Sequence, residues 1–121
     1  MKSGVLSAVM LIAVTGPCSS VVDRSELIRL ENEARALAIT AGCTSVDQCR
    51  SAPVGAKSCG GPRYYLPYCS LSTDSAALFR TLDELATKER AYNREHGIGS
   101  TCEFIGPPAL TLSGGECRAA R

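Results

Sequence analysis

"SCGGPRYYLPYC", residues 58–69, gathers two cysteines, a Gly-Gly-Pro turn, one arginine and three of the chain's six aromatic residues. Its reading decides the fold. Tyr64 to Tyr68 is made of strand-forming residues. Pro67 confines such a strand to a sheet edge or ends it early, and Gly60, Gly61 and Pro62 are turn formers. The stretch is therefore the β part of a chain whose flanks read as helices.

Upstream lies "DRSELIRLENEARALAITAG", residues 23–42. Asp23 and Glu26 stand at capping-pair spacing. Leu27, Leu30, Ala34, Leu37, Ala38 and Ala41 recur at the three-and-four step of one helical face. Glu31 and Arg35 form a favourable pair four residues apart, and Gly42 suits the position beyond a helix end. The pattern predicts a helix from Arg24 to Ala41.

Downstream, "STDSAALFRTLDELATKERAYNREHG" covers residues 72–97. Thr73 or Asp74 can cap it, and Gly97 can close it. Leu78, Leu82, Leu85 and Tyr92 make an apolar stripe that Phe79 and Ala86 widen. Arg80, Glu84 and Lys88 follow at four-residue spacing on the wet side. About 22 residues at 1.5 Å each give a rod of roughly 33 Å.

After it, "ALTL" alternates and "SGGE" is a tight turn leading into "CRA", a short hairpin by its pattern. The expected fold is an α-rich α+β domain, with two helices packed on a small, irregular, disulfide-stapled sheet and loop layer.

The N-terminal stretch has a different character. Lys2 precedes an apolar run from Gly4 to Val14, too short for a spanning helix of about 20 residues but laid out like an export signal. The reading is a signal peptide over 1–18, a tether over 19–22 and a single domain over 23–121. Cys18 closes the signal. It is either the lipid-bearing first residue of a lipoprotein, to which the preceding Pro17 is a poor match, or a bystander to ordinary cleavage near Thr15, Cys18 or Ser20.

Seven cysteines in 121 residues argue for disulfides in an oxidising compartment. With Cys18 set aside, Cys43, Cys49, Cys59, Cys69, Cys102 and Cys117 remain. Six cysteines allow 15 pairings, and spacing does not choose among them. Each bridge stabilises by ~2–4 kcal/mol, a large share of a small domain's margin. With no tryptophan and few aromatics, the core is thin, and the bridges compensate.

Composition excludes some functions. The chain carries 13 basic and 12 acidic residues; loss of Lys2 with the signal leaves 12 against 12. No basic block remains to engage nucleic acid or an anionic membrane surface, so the membrane enters only through a lipid on Cys18. The intervals between the six cysteines, 5, 9, 9, 32 and 14 residues, lack the short pairs of zinc sites and the C-x-x-C of redox sites. No metal or cofactor is expected. His96, the single histidine, sits in the last turn of the second helix, where a cation gains from the helix dipole. No nucleophile-elbow pattern and no phosphate-binding glycine motif accompanies it, so the chain reads as a non-enzyme.

Binding remains. Arg63, Tyr64, Tyr65 and Tyr68 are the candidate interaction residues, because Arg and Tyr dominate interface hot spots. The competing reading is that the tyrosines fill the thin core. Arg63 alone has no evident structural duty.

The series "CTSVDQC", "CGGPRYYLPY", "YNREHG", "STCEFIGPP" and "GGEC", spanning Cys43 to Cys117, resembles a group of small exported bacterial proteins and lipoproteins to which no activity is assigned. The resemblance implies an envelope location and lipidation at Cys18. Its members have serine where Cys69 stands and a cysteine between Pro108 and Cys117, which implies one rewired bridge here. Two functions follow as expectations. The first is a non-catalytic, exported cell-envelope protein that binds a protein or wall component. The second is inhibition of an extracytoplasmic trypsin-like serine protease through the Cys59–Cys69 loop, with Arg63 at its tip.

Overall fold

The first helix, α1, runs Arg24–Leu37, and the Asp23 side chain caps it by accepting from the Ser25 N–H at 2.9 Å. The computed structural model describes residues 22–120, together with 4 and 10–13. Cys18, residues 19–21 of the tether and most of the leader read over 1–18 lie outside the described residues.

The helix ends four residues before the expected Ala41. Ala38 is already extended, because the chain from Ile39 to Gly42 has better partners elsewhere. Thr73 Oγ1 accepts from the Ile39 N–H and donates to the Ile39 carbonyl, each at 3.1 Å. The Ile39 carbonyl also receives the Cys69 N–H at 2.7 Å, and Thr40 O receives the Cys117 N–H at 2.9 Å. Tertiary hydrogen bonds replace a helical turn whose residues propensity alone favours.

A short 3-10 turn, Val46–Gln48, leads into β1, Cys49–Val54, which pairs antiparallel with β2, Tyr64–Cys69. β1 lies inside a stretch that its Gly, Pro and Ser content marks as irregular, and Pro53 hides it. In a two-stranded ladder both strands are edges, so Pro53 and Pro67 are each tolerated. α2, Ser75–His96, is capped by Asp74, which accepts from the Ala77 N–H, and closes at Gly97 in the left-handed conformation, as its pattern implied. β3, Leu110–Ser113, and β4, Glu116–Ala119, form the expected hairpin. Gly114 and Gly115 both have positive φ, 60° and 76°, as a type I′ turn requires.

Strand alternation sorts the first hairpin into two faces. Ala52, Val54, Tyr64, Leu66 and Tyr68 face the helices, where they meet Leu30, Ala34, Leu78, Leu82 and Leu85 in the main core. Cys49 and Cys69 face the other way and join Cys43 and Cys117 in a second buried cluster, with Leu110 and Leu112 of β3 against it. The fold is thus a disulfide-stapled α+β domain of two helices and two small antiparallel sheets. Among the described residues no helix is long and apolar enough to cross a membrane.

Candidate functional site

All six cysteines are bridged, as Cys43–Cys69, Cys49–Cys117 and Cys59–Cys102. Cys49 and Cys69 stand directly opposite each other in the β1–β2 ladder, yet each bonds a cysteine from outside the hairpin. Their bridges fasten the hairpin to the segment after α1 and to β4. The sulfurs of Cys43, Cys69 and Cys117 lie within 4.8 Å of one another, a closeness produced by two bridges packed side by side. Sulfurs held in disulfides offer no thiolate to a metal. The third bridge is different: Cys59 and Cys102 are both exposed.

Arg63 corrects the sequence reading. Rather than standing free at a loop tip, it joins both helices to the hairpin. Its Nε donates to Glu89 Oε1 at 2.6 Å and its NH2 to Glu31 Oε2 at 3.2 Å. Glu89, buried on α2, also accepts from the Ala56 N–H at 3.1 Å through its other oxygen. The pair crosses over Gly55 at φ 77°, where a Cβ would lie 2.5 Å from Arg63 Nε, so glycine is required there. Arg35 NH2 donates to the Tyr64 hydroxyl at 2.6 Å, and that hydroxyl donates to Glu31 Oε1.

These contacts set the local protonation. Burial acts to raise the Glu31 carboxyl, but hydrogen bonds from Tyr64 and Arg63, with the charges of Arg63 and Arg35, outweigh it and hold the group below the ordinary range. Burial first, then the Glu31 hydrogen bond and charge, push the Tyr64 hydroxyl up to about 12.

The other candidates divide. Tyr68 is 5% exposed and belongs to the core. Tyr64 is half-buried and engaged as described. Tyr65, half-buried, points to the opposite face of β2 from both. The sequence stretch therefore does not act as one partner-facing loop, nor does it close on itself, since Cys59 and Cys69 bond elsewhere. To enter a protease specificity pocket, Arg63 would have to abandon two carboxylates.

The surface that remains open is built by two loops, of which sequence reasoning singled out the first and passed over the second. Residues 55–63 and 98–109 are joined by the Cys59–Cys102 bridge, by Lys57 Nζ donating to Glu103 O, by Ser58 Oγ donating to Ile98 O, and by the Cys59 N–H on Ser100 Oγ at 3.1 Å. On the second loop Phe104 is 88% exposed. A phenylalanine two positions after a cysteine was the only signal of it in the sequence. Ile98, also exposed, lies at the same end. His96 is exposed at the end of α2, its ring 4.2 Å from that of Tyr92.

Fold and site together define a small, disulfide-stapled α+β domain that presents a braced pair of loops. Comparison with family models, curated proteins and solved structures finds no match. Its three bridges are those of a protein in an oxidising, extracytoplasmic environment.

Proposed function

We propose that this chain is a non-catalytic, exported cell-envelope protein whose stapled domain binds another protein or a wall component. The leader pattern, with its candidate lipid site at Cys18, supports export. The observation that carries the binding reading is Phe104, an aromatic side chain 88% exposed on a loop that a disulfide braces. Exposed aromatics are costly to leave in water and are over-represented at binding hot spots. Bracing lowers the ordering cost of association.

The binding face is therefore the 98–109 loop rather than the tyrosine stretch. The test is a photoreactive benzoylphenylalanine placed at position 104 of the full chain in the cells that make it. A discrete covalent adduct at 104, absent with the same probe at exposed position 33, is the expected result. Equal labelling at both positions, or no adduct, overturns the reading.

A further inference from the structure

The five cations that form the eight ion pairs of the described residues are Arg29, Arg35, Arg63, Lys88 and Arg118. Lys57, Arg90 and Arg94 have no carboxylate partner among them, and these three line one concavity of about 410 Å³ between the 55–62 loop and the last turns of α2. That size suits a bound group. Arg90 and Arg94 are one helical turn apart, a like-charge spacing that weakens a helix. The helix dipole accounts for Arg94 in the last turn but not for Arg90, and Lys57 across the gap, which donates to the Glu103 carbonyl, has no charge partner among the described residues.

At Lys57, Gly60 and Arg90 this concavity meets a second, of about 260 Å³, whose lining includes Pro53, Pro62, Phe79 and Asp83. The two form a groove along α2 from Arg94 to Phe79, about 22 Å at 1.5 Å per residue. That length holds six or seven residues of extended chain at ~3.3 Å each. The groove is cationic at one end and apolar along its middle, with Asp83 beside the apolar part. A uniform polyanion would meet Asp83 as a like charge, whereas a peptide with carboxylates at one end and apolar residues at the other places no like charge beside it.

We propose that this groove binds an extended segment of a partner protein, with acidic residues seated among Lys57, Arg90 and Arg94 and apolar residues against Phe79, Pro53 and Pro62. Guanidinium pairs suit carboxylates through two parallel hydrogen bonds. The inference rests on the domain being a binding module and adds the chemistry of its partner. A covalent adduct at position 104 without peptide binding in the groove would leave the binding reading standing and remove this one.

The test is selection of displayed random heptapeptides on the oxidised, folded domain, followed by fluorescence anisotropy of the selected peptides. Enrichment of peptides with Asp or Glu at one end and apolar residues at the other is expected, with binding at least tenfold weaker to the Arg90→Glu/Arg94→Glu variant. Both arginines are exposed, so circular dichroism should show the variant folded. As a second variant, Phe79→Ser should weaken the same peptides while keeping their acidic preference. Selection without acidic enrichment, equal affinity for the double variant, or displacement of the peptides by polyphosphate at equal charge concentration overturns the proposal.

Discussion

Arg63 shows how a single side chain can be misassigned when its partners lie far away in sequence. Glu31 and Glu89 are 32 and 26 positions from it, so no local spacing announces either pair. Glu89 is 8% exposed, and a carboxylate so placed needs its partner. Arg63→Ala should cost about 2–3 kcal/mol in denaturant unfolding, less than the ~3–5 kcal/mol of a fully buried pair because the Arg63 side chain stays 36% exposed. A loss under about 0.5 kcal/mol, the size of an ordinary surface change, would return Arg63 to a free, partner-facing role. Tyr64 reports the same network. With its hydroxyl pushed up to about 12 in the folded chain against about 10 unfolded, the folded state holds the extra proton between those values. Stability is therefore whole below pH ~10 and declines as pH rises toward 12. The difference in 295 nm absorbance between the chain and its Tyr64→Phe variant should show the Tyr64 phenol ionising near pH 12, and Glu31→Gln should bring it forward. A Tyr64 phenol that ionises at the ordinary value of about 10 would contradict the network.

Among the elements, α2 was legible from end to end, because cap, stripe and closing glycine all point the same way and nothing external competes. α1 was legible except for its last turn. There the side chain of Thr73 and the N–H groups of Cys69 and Cys117 draw the backbone out of the helix. β1 escaped notice because its burial alternation is carried by Cys, Ala and Val around a proline rather than by large apolar residues. The braced loop pair escaped for another reason: its unity comes from the Cys59–Cys102 bridge, one of 15 pairings that spacing leaves open. That bridge is also the accessible one. Limited treatment with a water-soluble thiol or phosphine reductant should open Cys59–Cys102 first, since attack requires access to a sulfur and the other four bridged cysteines are at most 5% exposed. Mass mapping of alkylated peptides should find Cys59 and Cys102 labelled while the main circular dichroism signal persists. Earlier labelling of Cys49 or Cys69 would refute the assignment.

At the scale of the whole molecule, the β1–β2 hairpin is the shared wall of two small cores. Its helix-facing side closes an apolar cluster, and its other side carries the two buried bridges, of which Cys49–Cys117 holds on the β3–β4 hairpin and Cys43–Cys69 the segment after α1. Neither core is large, so neither half has much to gain alone, and the Cys49–Cys117 bridge spans 68 positions to join them. Sequence by itself determined the class of fold, the two helices, the final hairpin and the use of six cysteines as disulfides. Each of these depends on local periodicity, turn chemistry or composition, which a linear reading contains. Tertiary structure alone decided the pairing of the cysteines, the early end of α1, the engagement of Arg63 and the exposure of Phe104. Each of those depends on which distant groups meet, and a buried charge, a backbone N–H or a sulfur takes its role from the partner it reaches in space.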